Sequence, residues 1–401
     1  MSNKKNKPLM PKLRFPAFRN SPEWISEKVD RLVDTITPPK KLPTSSYAVN
    51  GDFPIIDQSQ NAICGWTDDR EALIKDDLPL IIFGDHTCIL KLLDRPFAQG
   101  ADGIKILKPR PRIGTSYLYQ YLSYRPVVTE EYKRHYSILK EKVVLFPDFK
   151  TGEQQKIADC LSSLDELIVA QARKVDALKT HKKGLMQQLF PREGETQPRL
   201  RFLEFRDAGE WEDQSIGNIG KVVTGSTPST AQPAFYGGGI PFVSPADISD
   251  MRFVDQTKTT LTQEGYAQTR PIRAGSVLFV CIGSTIGKVA QNIHDCATNQ
   301  QINAIIPNSK HSEGFVYFAL SLASERIALL AGRQAVPIIN KSLFSSVRIL
   351  VPKLPEQHRI ASFLSSIETL LTDENQSLEL LKAHKKGLMQ QIFPSLESIS
   401  A

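Results

Sequence analysis

The chain has 401 residues, 41% of them apolar and 23% charged, and a net charge of +7, which is typical of a globular protein and excludes a disordered or collagen-like chain. Its five cysteines are scattered and form no C-x-x-C pair, which argues against a zinc ribbon or a disulfide framework. No run reaches the roughly 18 apolar residues of a membrane-spanning helix, and the charged N-terminal segment lacks the apolar core of a signal peptide, so we expect a cytoplasmic protein with no membrane association.

The first element is a short motif at residues 11–24, PKLRFPAFRNSPEW, which returns at residues 198–211 as PRLRFLEFRDAGEW. The two copies, which we call the lead motifs, are identical at 8 of 14 positions. The segments that follow them, about 25–150 and 212–355, show no alignment over most of their length. Repeated ends around dissimilar middles indicate a common frame that carries two different recognition segments. The alternative is an old duplication whose middles drifted.

Each variable segment alternates short apolar runs with turn residues, which predicts strands. In the first segment the predicted strands are 53–56, 79–83, 88–93 and 104–107, followed by a helix over 117–124. In the second segment they are 240–243, 276–282, 288–290 and 302–306, followed by a helix over 315–331. We therefore expect each segment to form a mixed α/β domain, a small curved sheet with one or two helices.

Each variable segment leads into a long helical repeat, 153–191 and 356–394, in which 20 of 39 positions are identical. Apolar residues recur with alternating spacings of four and three, which is the heptad of a coiled coil. We expect the two helices to pack antiparallel through a pseudo-two-fold repeat, and Pro191 and Pro394 to end them. The apolar heptad positions predicted to pack are Ile157, Leu161, Leu164, Ile168, Val175, Leu178, Leu185, Leu189, Ile360, Leu364, Ile367, Leu371, Leu378, Leu381, Leu388 and Ile392.

The apolar face of the two helices is wider than one heptad seam, because Leu167, Met186, Leu370 and Met389 lie beside it. We expect helices of a partner to cover this face and complete a bundle, although the chain's own globular domains are an alternative. The sequence HKKG near the end of each helix is expected to place cations in the last turns, where they complement the helix dipole. A phosphate contact by these cations is a second possibility.

Motifs for catalysis are missing from both halves. The segment 283–289, GSTIGKV, has one residue too few for a phosphate-binding loop, and Val289 replaces the required Ser or Thr. His86 has no second His or Cys at metal-ligand spacing. There is no G-x-G-x-x-G after a strand and no Asn/Asp-Pro-Pro-aromatic tetrapeptide of an adenine methyltransferase. The sequence thus predicts no catalytic residue and no metal site.

Clusters of polar residues at turns remain, and they fit DNA reading better than catalysis. Asn and Gln can bond to adenine edges and Arg or Lys to guanine, while Ser, Thr and amides beside Gly suit phosphates. For any single residue, local bonding within its turn is the more common situation. The predicted DNA contacts are Gln58, Gln60, Asn61, His86, Lys91, Arg134, His135, Ser226, Thr227, Tyr236, Ser284, Thr285, Lys288, Asn299, Gln300 and Gln301. Replacing Lys288 by Ala should weaken binding across sequences and lessen its salt dependence.

The arrangement of lead motif, polar segment and EQ…IA…HKKGLMQQ[LI]FP helix, twice over, resembles the specificity (S) subunit of Type I restriction–modification enzymes. The segments PIIDQSQNAICGWTD and GSTIGKVA…TNQQINAI resemble two classes of target recognition domain. The resemblance implies a first recognition domain over 1–150, a central helix over 151–192, a second recognition domain over 193–355 and a C-terminal helix over 356–401.

The resemblance also implies what the chain does. Each recognition domain would read one half of a bipartite, asymmetric site in double-stranded DNA, and the helices would fix the spacer and dock two methyltransferase (M) subunits. The M subunits would carry S-adenosylmethionine for adenine N6 methylation, and two restriction (R) subunits would use ATP and Mg for cleavage in phage defence. The chain itself would bind no cofactor and would not be an enzyme. The alternative is a coiled-coil scaffold whose lateral domains bind proteins.

Overall fold

The structure is a computed structural model that describes residues 9–75, 77–101, 103–128, 134–332 and 337–395. The chain divides into two compact units. Unit 1 comprises Met1–Arg173 together with Gln376–Ala401, and unit 2 comprises Lys174–Asn375. Each unit therefore contains parts of both long helices. The four domain boundaries drawn from the sequence stay a prediction.

Among its described residues, the variable part of unit 1 contains ten strands and three short helices, and the first long helix, α4, follows it. The strands are β1 Ile25–Lys28, β2 Val33–Ile36, β3 Phe53–Ile56, β4 Gly65–Thr67, β5 Leu73–Ile74, β6 Leu80–Gly84, β7 Leu90–Leu93, β8 Phe97–Gln99, β9 Ile104–Pro109 and β10 Val143–Phe146. The helices are α1 Val29–Leu32, α2 Thr115–Tyr124, α3 Tyr136–Glu141 and α4 Glu153–Leu189.

Unit 2 has a corresponding set of elements, followed by the second long helix, α9. The strands are β11 Glu212–Ser215, β12 Gly220–Thr224, β13 Tyr236–Val243, β14 Phe253–Val254, β15 Thr259–Leu261, β16 Val277–Val280, β17 Val289–Asn292, β18 Ala297–Thr298, β19 Ile302–Pro307 and β20 Arg348–Val351. The helices are α5 Ile216–Ile219, α6 Gln263–Ala267, α7 Glu313–Leu329, α8 Lys341–Ser346 and α9 Leu354–Ile392.

The main sheets of the two variable segments have the same order of four strands. Unit 1 has a sheet in the order β2-β9-β6-β7, and unit 2 has β12-β19-β16-β17 extended by β14. In each unit a second sheet is centred on a parallel pair, β3 with β8 and β13 with β18. A two-stranded sheet, β1 with β10 or β11 with β20, completes the set. The single curved sheet expected from the sequence is thus replaced by two larger sheets and a strand pair, and the dissimilar middles are built on a common frame.

The central strands β6 and β16 explain why their sequences are continuously apolar. Ile81 and Phe83 of β6 belong to the core that also contains α2, whereas Ile82 belongs to the core shared with the second sheet. In β16, Phe279 and Leu278 divide in the same way between two cores. Because successive side chains point to opposite faces of a strand, a strand that is covered on both faces has no polar positions.

The long helices α4 and α9 run antiparallel within each unit. In unit 1, Ile157 and Leu161 share a core with Ile392 and Met389, so the residue number in one helix rises as it falls in the other. In unit 2 the same holds for Leu189 and Ile360. None of the 16 apolar heptad positions is exposed. The predicted α+β class with two antiparallel coiled-coil helices is confirmed, and the helices end just before Pro191 and Pro394 as expected.

The apolar residues beside the heptad seam divide into two groups. Met389 is buried in the core of unit 1, and Met186 packs against the core of unit 2. The chain's own domains therefore cover these two, which was the alternative expectation. The equivalent residues Leu167 and Leu370 are 55% and 43% exposed, so for them a partner helix stays a prediction.

The HKKG sequences do not occupy the last turns, so the expectation of a helix-dipole role is wrong. Neither long helix has a basic residue in its last turn, because HKKG ends five residues before Leu189 and before Ile392. Instead, Lys182 Nζ lies 2.6 Å from Glu368 Oε1, and Lys385 Nζ lies 2.6 Å from Asp165 Oδ1. These lysines thus form ion pairs between the two helices.

Candidate nucleic-acid interface

In unit 1, the polar loops that follow strands β3, β6 and β8 meet at one place. Asp85 N donates to Gly103 O at 2.7 Å, and Thr87 Oγ1 donates to Gln58 O at 2.7 Å. The approach is close, because Gly103 has a φ of +105° and a Cβ there would lie 2.5 Å from Gln58 Nε2. The positive φ favours glycine at this position, and any other residue would also have to displace the Gln58 amide.

The segment before α3 joins the same cluster through Asp85. The buried Asp85 carboxylate accepts a hydrogen bond from Tyr136 N at 2.8 Å, and Asp85 O accepts one from His135 N at 2.8 Å. Asp85 therefore links the β6–β7 hairpin to the start of α3. Residues 129–133, immediately before the predicted contacts Arg134 and His135, lie outside the described residues.

The loop after β3 is organised around Asp57 and Lys91. Lys91 Nζ donates to Asp57 O at 2.8 Å and to Asn61 O at 2.6 Å. Burial raises the pKa of Asp57, but hydrogen bonds from Cys64 and Ser59 outweigh burial and hold that pKa below its ordinary value. The ionised Asp57 carboxylate and the Lys91 ammonium group thus hold the loop in place through hydrogen bonds with its residues.

The predicted DNA contacts of unit 1 fall into two groups. Gln58, Lys91 and His135 take part in the internal bonding: Gln58 Oε1 accepts from His86 N at 3.3 Å, and the buried ring of His135 lies 3.1 Å from Asp85 O. The side chains of Gln60, Asn61 and Arg134 are exposed, and that of His86 is half-buried. The second group is the one placed to meet a ligand.

In unit 2, the loops that follow β12, β16 and β18 also converge. Ser226 N donates to Thr298 O at 2.9 Å, and Cys281 N donates to Gln301 O at 2.8 Å. A Cβ on Gly225 would lie 2.1 Å from Asn299 O, so the loops touch along their main chains. This cluster gathers the polar turns that the sequence placed in three separate stretches.

Side chains of the unit 2 cluster are bonded mainly to one another. Thr227 Oγ1 donates to Gln300 Oε1 at 2.7 Å, and Asn299 Nδ2 donates to Gln301 Oε1 at 2.9 Å. Thr227 and Gln300 are both exposed, so this bonded pair lies on the surface. The pair can exchange its mutual bond for bonds to a ligand.

The other predicted contacts of unit 2 border this cluster. Tyr236 Oη donates to Pro228 O at 2.8 Å, and Lys288 Nζ donates to Ile248 O at 2.8 Å. Ser284 is exposed and Thr285 is half-buried on the β16–β17 hairpin. The buried Ser226 Oγ has no hydrogen-bond partner among the described residues.

Arg270 is a cation at this surface that sequence reasoning missed. Its Nη1 donates to Thr224 O at 2.8 Å, and the residue is exposed. It lies away from the glycine-rich turns and only the fold brings it to the cluster, so no local signal could have identified it. As a guanidinium beside a polar loop it is suited to phosphate or guanine.

The two clusters occupy equivalent places in the two strand topologies. The hairpin loop 85–89 joins β6 to β7, and the loop 281–288 joins β16 to β17. Gly103 and Gln301 likewise precede the matched strands β9 and β19. Within the described residues, no group of three or more His, Cys, Asp or Glu side chains could hold a metal ion. The clusters are therefore equivalent in position and different in chemistry, as two readers of different sequences would be.

Comparison with known proteins shows which family the chain resembles. The family model for the Type I restriction modification DNA specificity domain matches residues 208–383. The Type I restriction enzyme EcoR124I/EcoR124II specificity subunit of Escherichia coli is 28% identical over 343 residues, which cover 81% of this chain and 82% of that protein. The chain is therefore similar to Type I restriction enzyme specificity subunits over most of its length.

Other relatives match over different lengths. The HindI specificity subunit of Haemophilus influenzae is 34% identical over 147 residues, so the match spans 35% of this chain and only 32% of that relative. The crystal structure of an S subunit from M. genitalium superposes with a TM-score of 0.67 at 17% identity, covering 96% of this chain and all of the other. At that identity the superposition supports the fold alone. In the part of the chain that the structure describes, none of the helices is long and apolar enough to cross a membrane.

Proposed function

We propose that this chain is the DNA sequence-specificity subunit of a Type I restriction–modification enzyme, and that each unit reads one half of a bipartite, asymmetric site in double-stranded DNA. The observation that carries the proposal is the pair of equivalent loop clusters on one strand topology. The loops at matching positions hold different polar side chains. The same strand arrangement with different loops provides two surfaces that recognise different short DNA sequences.

The contacts within the clusters support different roles for the residues that the sequence singled out. Gln60 and Asn61 present exposed amides, which pair with adenine edges, and Arg134 presents a guanidinium to guanine or phosphate. Thr227 and Gln300 form the corresponding exposed pair in unit 2. Lys91 and Lys288 act from inside, since each ammonium group already binds main-chain carbonyls.

The remaining chemistry belongs to partner subunits. Two M subunits dock on the long helices, where Leu167 and Leu370 expose apolar surface, and they supply S-adenosylmethionine for adenine N6 methylation. Two R subunits supply ATP- and Mg-dependent cleavage. The complex works in the cytoplasm against phage DNA. The lack of catalytic motifs in this sequence fits a chain that directs these activities without performing them.

The test is a methylation map of DNA from cells that express this chain together with its cognate M subunit. A single split motif, with two short specific halves and a fixed gap, is the expected result. Exchanging residues 212–355 for those of another specificity subunit should then change one half and leave the other unchanged.

A stable complex that produces no new methylation and shows no salt-dependent DNA binding would contradict the proposal. It would favour the alternative, a coiled-coil scaffold whose lateral domains bind proteins. DNA binding without methylation would instead point to an inactive methyltransferase partner, because reading and chemistry lie on different subunits.

A further inference from the structure

A glutamine in the first turns of each long helix is buried and bonded three times. Gln154 of α4 is 1% exposed. Its Oε1 accepts a hydrogen bond from Gly114 N at 2.8 Å. Its Nε2 donates to Pro147 O at 2.7 Å and to Arg112 O at 3.1 Å. The amide is thereby tied to the start of α2 and to the end of β10.

The second long helix repeats this geometry with different partners. Gln357 of α9 is also 1% exposed. Its Oε1 accepts from Ser312 N at 2.8 Å, and its Nε2 donates to Pro352 O at 2.8 Å and to Lys310 O at 3.3 Å. The three partners correspond to those in unit 1: the N-cap residue of a helix (α7 here, α2 in unit 1), the residue two before it, and the proline after the last strand.

All six bonds go to main-chain atoms, so they do not depend on the side chains of the recognition domain. A buried amide that uses its oxygen and its NH₂ group in fixed directions defines an orientation, which nonspecific apolar contact does not. The bonded helix α2 packs through Tyr117 and Tyr121 on the core face of the sheet whose hairpin carries loop 85–89. Each glutamine therefore connects a long helix to the sheet that holds the readers.

The neighbouring glutamates have a separate role. Glu153 binds Arg14, and Glu356 binds Arg201, through two hydrogen bonds each. These pairs join the helices to the lead motifs, which lie before the variable segments. Of these neighbouring residues, the glutamines are the ones that bond the recognition domains themselves.

We propose that Gln154 and Gln357 are positioning residues that set the angle between each recognition domain and its long helix, and thereby the number of unread base pairs between the two half-sites. This inference rests on the proposed function. In this view the fixed number of unread base pairs depends on these two glutamine side chains as well as on the length of the long helices.

The experiment is the methylation map repeated with Gln154→Leu and with Gln357→Leu in the full chain with its M subunit. We expect both half-site sequences to persist, while methylation at sites whose gap is one base pair longer or shorter rises about tenfold over the wild type, which corresponds to roughly 1.4 kcal/mol of lost preference for the wild-type gap. Gln155→Leu is the matched control, because Gln155 is exposed and its Nε2 bonds only Asp159 of the same helix.

A second pair of variants covers the possibility that the leucine variants do not fold. Gly114 has a φ of −69°, which proline adopts, and a Cβ there would contact its neighbours at no less than 3.7 Å. Gly114→Pro removes the N–H that Gln154 accepts, whereas Gly114→Ala keeps it. Spread of the gap in the proline variant and not in the alanine variant is the expected result.

The outcomes distinguish a failure of this inference from a failure of the proposed function. If the wild type yields no split motif, the proposed function fails. If the wild type yields one and the variants keep a single gap at unchanged methylation, the inference is overturned. It is also overturned if the variants relax the half-site bases at a constant gap, because the glutamines would then shape the readers rather than their spacing.

Discussion

Two arginine–carboxylate pairs illustrate how individual residues hold the frame. Arg14 and Glu153 approach to 2.6 Å with side chains 6% and 1% exposed, and Arg201 and Glu356 approach to 2.7 Å with 8% and 2% exposed. The hydrogen bond to Glu356 raises the pKa of Arg201, and burial only partly opposes it. Removing one partner of such a pair leaves the other charge buried without compensation.

Arg14→Met should therefore lower the free energy of unfolding of unit 1 by about 3–5 kcal/mol. Hydrogen exchange can measure this, as lost protection of the amides of α2 with unchanged protection in α7. The double variant Arg14→Met/Glu153→Met should recover most of the loss. Arg31→Met is the control, since its pair with Glu27 is exposed. Equal effects of Arg14→Met and Arg31→Met would refute the assignment.

Lys91 allows a test of internal bonding against phosphate contact. Because its ammonium group donates to Asp57 O and Asn61 O, Lys91→Met should relax the base preference of one half-site and leave the slope of log K against log salt unchanged. A phosphate contact would instead lessen that slope by about one unit. Binding titrations of the assembled complex at several salt concentrations decide between the two. For Lys288, bonded to Ile248 O, the same argument revises the sequence-based expectation of a lower salt dependence.

These residues also show where sequence reasoning stops at this scale. Gln58 and Gln60 stand two positions apart in one polar turn and are indistinguishable by type. A contact with His86, 28 positions further along the chain, draws Gln58 inward, while Gln60 stays exposed. The loops could be predicted from the sequence. Which of their side chains stay exposed and which bond inward depends on contacts between loops, which the sequence does not reveal.

At the scale of elements, the ion pairs between the long helices fix their register. Lys182 and Lys385 occupy the same place in the two repeats, and so do their partners Glu368 and Asp165. The two ion pairs therefore join equivalent positions of the two helical repeats. Slipping either helix by a single turn would break both pairs.

Asp165→Lys is expected to destabilise unit 1 by about 1 kcal/mol, a modest amount because Asp165 is 40% exposed in its side chain. The exchange Asp165→Lys/Lys385→Asp should restore most of the thermal stability. The measurement is the midpoint of thermal unfolding, which such a change moves by roughly 2–4 °C. If the double variant is less stable than either single variant, the pair does not set the register.

Elements were predicted with unequal success for physical reasons. The strands Phe53–Ile56 and Ile302–Pro307 and both long helices were found because period and composition are local signals. The common strand order was not, because pairing joins residues that are distant in the chain and the two variable segments share little sequence. The role of HKKG was misjudged because the bonding of Lys182 depends on a residue 186 positions away.

At the scale of the whole molecule, each unit is closed by the end of a helix that begins in the other. Phe393 packs among three aromatic rings of α2, with centroids 5.8 Å from Tyr117, 5.2 Å from Tyr121 and 5.5 Å from Tyr124. In unit 2, Phe190 packs 5.8 Å from Trp211 and 5.3 Å from the ring of Phe315. The same FP sequence thus completes both cores.

Phe393→Ala should remove about 3–5 kcal/mol from unit 1, as for other buried phenylalanines. Hydrogen exchange should show lost protection of the amides in Thr115–Tyr124 and unchanged protection of those in Glu313–Leu329. Phe190→Ala is the matched variant and should give the reverse pattern. Loss of protection in both helices with either variant would mean that the units do not unfold separately.

The division of the chain also bears on its synthesis. Unit 2 is a continuous stretch, 174–375, and can be completed once those residues have left the ribosome. Unit 1 lacks Met389, Ile392 and Phe393 of its core until the whole of unit 2 has been translated. Nascent domains ordinarily fold in the order in which they are made. Here unit 1, which begins first, completes its core after unit 2. The aromatic face of α2 therefore stays uncovered while unit 2 is being synthesised.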